Sequence, residues 1–452
     1  MKVLRVLALI LIGAHLAVAD DPFAESNSLL NTAAQHHESA TAVPQTLAEL
    51  QELAMRNNPE IRIAVRHLSV AESRVTGAGA LDDPVFMYRD WGTPLQKPWD
   101  LNYAQNMFMY SQALPGHGKR GLRTDIAGRE VEVAEAELEA VRRDANARVS
   151  RAFYDLLRNN DELRIHDEQV ALARQALETA RIKYTVGRVP QQDVLKAQVA
   201  LTRLVEHLNM LGENGELARA TLNSLIGHDP AQPLEVVGQY SLPTRLPSLA
   251  DLEKVAIESR PELAAYTKAI EQSEAKTKLA QKSYTPDYTI SAGYMLQPTG
   301  ATYRNNYMVE FSLNLPWLNR RKHDAEISEA QAATLEQRAE YDSQRVLVFL
   351  QIQEALVKAR TAYRNLSLYR NTLKPQAEAT LKSAVTAYKN DRTDFLNLLD
   401  SQNVALDVES SYFKSAAEFE TRLADLERAV GAPIPRGMEE QTAVPEVGNE
   451  IQ

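Results

Sequence analysis

Tyr307-Met308-Val309-Glu310-Phe311-Ser312-Leu313-Asn314-Leu315 alternates without a fault: Tyr307, Val309, Phe311, Leu313 and Leu315 take one face, Met308, Glu310, Ser312 and Asn314 the other. Tyr288, Ile290, Ala292, Tyr294 and Leu296 do the same against Thr289, Ser291 and Gly293. A period of two over about ten residues, with aromatics near the ends, predicts strands that are apolar on one side and polar on the other, as in a membrane barrel. A rougher pair lies between Pro84 and Pro115. Each pair is joined by a Gly and Pro loop, Gly92 to Pro98 or Gln297 to Gly300. The stretches Pro84–Pro115 and Tyr284–Trp317 hold all three Trp, eight of the 17 Tyr and three of the nine Phe, so nearly half the aromatics are concentrated there. A half-buried hairpin on a helix would alternate too, but no other part of the sequence reads as a globular core to receive it. In lipid an open sheet leaves backbone groups unpaired at its edges, and four strands cannot close a barrel alone. Three chains would supply twelve strands, an even number within the known range.

Outside the strands the period changes. Val149, Ala152, Leu156, Leu163, Val170, Ala173, Leu177, Ala180 and Tyr184 form a three-four seam interrupted only by Asn159 and His166. Phe349, Ile352, Leu356, Ala359, Tyr363, Leu366, Leu373 and Ala377 form a second. Sustained spacing of this kind predicts helices packed knobs into holes rather than around one globular core. Between Leu122 and Val186 there is one Gly and no Pro, so a helix of about 65 residues and roughly 100 Å is expected at 1.5 Å per residue. Pro375 predicts a kink in the second long helix. The helices stop at Val186-Gly187-Arg188-Val189-Pro190 and Asn390-Asp391-Arg392-Thr393.

The two halves are copies. Thr46-Leu47-Ala48-Glu49-Leu50 recurs as Ser248-Leu249-Ala250-Asp251-Leu252, Asn58-Pro59-Glu60 as Arg260-Pro261-Glu262, Leu114-Pro115 as Leu315-Pro316, and Gly227 as Gly431. The organisation read from this is a signal peptide over 1–19, a flexible tail over 20–45, a first repeat over 46–230 with its hairpin at 84–115, a linker over 231–247, a second repeat over 248–434 with its hairpin at 284–317, and a tail over 435–452. The fold class is mainly α, with long coiled-coil helical hairpins and a small membrane β-barrel.

Lys2 and Arg5, the apolar run Val6–Leu16 and Ala17-Val18-Ala19 make the export signal, with Asp20 expected to start the mature chain. The run is too short for a membrane anchor. Removing Lys2 and Arg5 takes the net charge from -10 to -12, and no basic stretch is dense enough for a nucleic-acid partner. Zero Cys excludes disulfides, thiolate metal sites, thiol nucleophiles and a lipidated N-terminal cysteine. A mean hydropathy of -0.35 excludes a polytopic helical membrane protein.

The duplicated plan, Ser111-Gln112-Ala113-Leu114-Pro115 leading to Gly118-Lys119-Arg120, and the turn Tyr184-Thr185-Val186-Gly187-Arg188 resemble the TolC-type outer-membrane efflux proteins from about Thr46 to Ile434. The Gly-Lys-Arg element is similar to the heavy-metal (cation) efflux branch. The resemblance implies a homotrimer with a twelve-stranded barrel in outer-membrane lipid and a twelve-helix tunnel in the periplasm. It also implies a periplasmic adaptor and an inner-membrane pump, of the resistance-nodulation-division type. By the same resemblance, Val186, Gly187, Arg188, Val189, Asp391, Arg392 and Thr393 are adaptor-contacting tips, although Gly187 also reads as a plain helix C-cap. Asp391, Asp394 and Asp400 are candidates for a pore constriction, since threefold symmetry turns an inward carboxylate into a ring; a solvated carboxylate is the simpler reading of each. Trp91, Trp99, Tyr288, Tyr307 and Trp317 are candidate interface aromatics.

Other constellations carry less. Gly116, Gly118 and Gly121 match G-x-G-x-x-G, but a dinucleotide site needs a compact βαβ unit. A strand-to-helix hinge with Lys119 and Arg120 near headgroups is the better reading. His166 reads as a packed core residue rather than a ligand, and His36-His37-Glu38 as a solvated tail segment. Met87, Met107, Met109, Met295 and Met308 crowd the strands, which would suit soft cations such as Cu(I), but gap filling is the better reading. No catalytic set, metal site or cofactor is expected. The function expected is a passive outer-membrane conduit, not an enzyme. The alternatives are an exit duct for type I protein secretion or drug efflux, or a periplasmic coiled-coil scaffold without a pore.

Overall fold

The computed structural model describes residues 44–93, 95–97, 102–240, 246–390, 392–393 and 395–434. The signal segment, His36-His37-Glu38, Trp99, Asp391, Asp394 and the C-terminal tail lie outside the described residues. The first half runs α1 (Leu47–Asn57), α2 (Pro59–Gly79), β1 (Val85–Trp91), β2 (Gln105–Leu114), α3 (Lys119–Thr185) and α4 (Gln191–Leu225). The second runs α5 (Leu249–Ser259), α6 (Pro261–Gln281), β3 (Tyr288–Leu296), β4 (Asn305–Leu313), α7 (Arg320–Leu368), α8 (Lys374–Lys389) and α9 (Phe395–Val430).

Local chemistry sets the helix boundaries, and the two halves meet the same needs with different side chains. Thr46 and Glu49 form a reciprocal capping box on α1. Asn58 breaks α1 from α2 by accepting the Glu60 and Ile61 N–H groups on its Oδ1, and its Nδ2 donates to the Leu225 carbonyl at 2.8 Å. In the second half Arg260 holds the corresponding place, buried, with Nη1 donating to the Ala429 carbonyl at 2.7 Å and Nη2 to Gln351 at 2.6 Å. Each side chain ties the break between two short helices to the end of the last helix of its repeat. Gln45, the last residue of the expected tail, bridges Val236 in the linker.

The 67-residue α3 is the spine, about 100 Å long. It packs on α1 and α2 over one half and on α4 over the other, and also meets α6 and α9 of the second repeat. Pro375 does not kink a continuous α-helix: a π turn over Tyr369–Leu373 precedes it and lets the helix resume as α8 with the proline in its first turn. There the missing N–H costs nothing. The apolar seams bury in separate layers, Leu50, Phe153, Leu156, Leu222 and Ile226 in one, Ile352, Leu356, Phe419 and Leu423 in its counterpart, and Val170, Leu177, Val194 and Leu201 toward the tip. No helix of the described residues is long and apolar enough to cross a membrane.

The strands form one antiparallel sheet in the order β1-β2-β3-β4, with β2 joining β3 across the repeats. The register puts Phe86, Tyr88, Phe108, Tyr110, Ile290, Tyr294, Val309 and Phe311 on one face, all exposed. β1 reads roughly in sequence because its outer face holds only Phe86, Tyr88 and Asp90, while Val85, Met87, Arg89 and Trp91 fall on the inner one. Both outer strands, β1 and β4, keep an open edge.

Candidate functional site

At the first tip, α3 ends in a Schellman motif. Gly187 N–H donates to the Tyr184 carbonyl at 2.9 Å and Arg188 N–H to the Lys183 carbonyl at 2.8 Å, with Gly187 at φ 73°. This turn presents Ile182, Tyr184 and Val186 to solvent, Val186 at 64% exposure, beside exposed Arg188 and half-buried Val189. Added atoms at Gly187 would meet open space. At the second tip, Arg392 N–H donates to the Ala387 carbonyl at 2.9 Å, with Arg392 exposed and Thr393 half-buried. Asp400 is exposed and shares a groove of about 330 Å³ with Leu172 and Ala176 of α3, Asp193 and Lys196 of α4, and Asn403 of α9. The two tips thus lie at the same end of the molecule.

Behind the tips, the polar interruptions of the α3 seam form a layer. Asn159 is buried over Gly215 of α4, whose missing side chain makes room for it. His166 lies against His207 of α4, ring centroids 4.4 Å apart. Burial and the neighbouring His207 hold the His166 pKa below its ordinary range, against the opposing pull of Glu162 and Asp407. Gln169 Nε2 donates to Asp407 of α9 at 2.9 Å, so the layer joins both repeats. Close by, Tyr240 of the linker donates to Asp161 at 2.8 Å, and burial raises the pKa of both groups. Among the described residues no cluster of three His, Asp or Glu side chains is placed to hold a metal ion.

At the opposite end stands a site that the sequence reading missed. Asp287, one residue before β3, accepts the Gly116 N–H at 2.6 Å and the Lys119 ammonium at 2.8 Å on the same Oδ1. Its own N–H donates to Asn314, just after β4, at 2.7 Å. Through its carboxylate and its backbone N–H, this one residue therefore gathers the helix-side ends of β2, β3 and β4. A Cβ at Gly116 would lie 2.6 Å from the Pro286 carbonyl, so only glycine permits this approach. Lys119 is 7% exposed, which corrects its placement near headgroups; Arg120 remains exposed. The signal was available, since Pro84 recurs as Pro286 and an acidic residue follows only the second proline at the foot of an apolar strand.

The candidate interface aromatics divide between the sheet's ends. Trp91 and Tyr307 stand near the far end, at 71% and 87% exposure, and Tyr288 and Trp317 near the helical junction. The register sets Trp91 on the face opposite Tyr307 and Tyr288.

Comparison with known proteins agrees with this architecture. The cobalt-zinc-cadmium resistance protein CzcC of Cupriavidus metallidurans is 23% identical over 392 residues, spanning 86% of this chain and 91% of that protein. Among solved structures, the outer-membrane channel OprN superposes with a TM-score of 0.69 at 18% identity, over 85% of this chain and 90% of its own. The Campylobacter jejuni CmeC outer membrane channel gives 0.69 at 14% identity, over 87% of each chain. The outer membrane efflux protein family matches residues 50–228 and 252–432, one segment in each repeat. With a sheet whose outward face is apolar set on a helical body about 100 Å long, the chain belongs to the outer membrane efflux protein family and is an outer-membrane efflux channel.

Proposed function

We propose that three copies of this chain close their sheets into one twelve-stranded barrel and their helices into a periplasmic tunnel, forming the passive exit duct of a tripartite efflux system. The observation that carries this is the four-stranded sheet with an apolar outer face and two open edges. Neither edge is tolerable in lipid until it pairs with another chain. Substrate arrives from an inner-membrane pump of the resistance-nodulation-division type through a periplasmic adaptor. The similarity to a cobalt-zinc-cadmium resistance protein supports heavy-metal cations as cargo. Purified protein in planar bilayers is expected to give discrete conductance steps; a preparation that stays soluble without detergent and never conducts contradicts the proposal.

The adaptor is proposed to dock on the tips at Val186, Gly187, Arg188, Val189, Asp391, Arg392 and Thr393. Their support is the family resemblance and the exposed apolar turn. Asp391, Asp394 and Asp400 are proposed to ring the pore near the same end. Replacing Gly187 with tryptophan puts a bulky group into open space, so the oligomer is expected to persist in the outer membrane while efflux is lost. Wild-type resistance in cells carrying Gly187→Trp removes the docking role.

A further inference from the structure

Five of the nine methionines stand in the four strands, and the register gathers all five on the polar face. Met87 lies directly opposite Met109, and Met107 directly opposite Met295. Met308 faces Gly293, which in turn faces Met109. They therefore occupy two adjacent rows across the sheet: Met87, Met109, Gly293 and Met308 in one, Arg89, Met107, Met295 and Asn306 in the next. This face is the more sheltered one. Met109 is buried and the other four methionines are half-buried, although no helix among the described residues packs across the sheet, whereas the aromatic face is exposed throughout its centre. Such mutual shelter without a covering element fits the inner face of a curved sheet.

Gap filling does not account for this arrangement. A methionine that fills a gap packs among apolar groups, but here the sulfurs of Met87 and Met295 meet polar donors. Arg89 Nη2 donates to the Met87 sulfur at 3.5 Å, and Gln297 Nε2 to the Met295 sulfur at 3.2 Å, where Gln105 also donates. On the same face Ser111 bonds Ser291 at 2.9 Å, and Glu310 stands one row away from Met308. Thioethers set beside amide, guanidinium and hydroxyl groups are available as ligands.

We propose that this face is a thioether site for a soft monovalent d¹⁰ cation, of the Cu(I) and Ag(I) class. Directly opposed residues of an antiparallel pair have Cβ atoms about 4.5–5.5 Å apart, and the three rotatable bonds of methionine let two sulfurs converge on one ion. Thioethers select soft cations over the harder divalent ions that prefer imidazole or carboxylate. Two opposed pairs, with Met308 reachable across the bare Gly293, make several adjacent weak stations. That is what a conduit requires of a contact surface, because tight binding at one station would stop flow. The inference rests on the sheet lining a lumen and not on which cargo the pump delivers.

The test uses Ag(I) in chloride-free buffer with the full-length protein in detergent. Calorimetric titration and X-ray absorption are expected to show Ag(I) held by sulfur only. The pair variants Met107→Leu/Met295→Leu and Met87→Leu/Met109→Leu, which conserve volume, are each expected to lower affinity at least tenfold or remove a site, with an unchanged melting midpoint. Ag(I) bound through nitrogen or oxygen, or sulfur-bound Ag(I) that both variants retain at full affinity, overturns the site. Conductance measured on the same preparations separates the two readings: a conducting channel with no Ag(I) binding overturns only the site, and Ag(I) binding that depends on the methionines without conductance overturns only the duct.

Discussion

Replacing Asp287 with alanine is expected to lower stability by about 3 kcal/mol, the low end of the cost of breaking a buried ion pair. The partner left behind is Lys119, whose side chain is 9% exposed, while that of Asp287 is 46% exposed, so water compensates part of the loss. The Gly116 N–H loses its acceptor in the same step. Asp287→Asn keeps an oxygen in place for both donors and should lose less than the alanine variant, since the bond from the Lys119 ammonium stays charge-assisted. A double-mutant cycle with Lys119→Met, read as thermal midpoints in detergent, isolates the pair; zero coupling contradicts the clamp. Burial disfavours the ionised carboxylate, but bonds from Lys119 and Gly116 with the charges of Lys119 and Arg123 outweigh it and hold its pKa below the usual carboxylate range. A lowered carboxylate pKa stabilises above the unfolded value, so the clamp is whole above that pH and is lost only as acidification passes through the lower folded value.

Gly227→Ala is expected to cost about 2–5 kcal/mol, from a left-handed conformation disfavoured by about 1–2 kcal/mol and overpacking of about 1–3 kcal/mol. Gly227 sits at φ 73°, and an added Cβ would lie 2.5 Å from the Asn57 carbonyl oxygen. Relief requires moving the end of α1 away from α4, which pulls Asn58 from the Leu225 carbonyl. Gly187 provides an internal control, because it has the same φ of 73° with nothing within 4 Å. Gly187→Ala should cost only the conformational part. Gly431 meets Arg260 and Ser259 at 3.0 Å, a looser fit, and should fall between them. Equal melting midpoints for Gly227→Ala and Gly187→Ala would show that the contact at Asn57 carries no energy.

Much of the architecture is legible in the sequence because its two periods are strong and long. The alternation from Tyr307 to Leu315 and the seam from Val149 to Tyr184 each reappear as elements within a few residues of the expected ends. Asn159 and His166 could be seen as interruptions but not explained, since their partners Gly215, His207 and, through Gln169, Asp407 come from distant segments. Asp287 could be marked as the acidic residue that follows only the second copy's proline, but its role could not be read, because its partners Gly116 and Lys119 stand about 170 residues earlier. The π turn before Pro375 depends on backbone adjustment, which residue identities alone do not specify. The five methionines were countable from the start, but only the register shows that they share one face.

The central claim, that three open sheets close on one another, is tested most directly by cross-linking β1 of one chain to β4 of the next. The chain contains no cysteine, so every disulfide formed reports an introduced pair. Single cysteines are scanned along Val85–Trp91 and Asn305–Leu313 in combination, and oxidised in the outer membrane. At the matching register the account predicts a covalent species of three chains and no larger one. Absence of any inter-chain cross-link between these edges at every register, or a ladder extending past three chains, would contradict it.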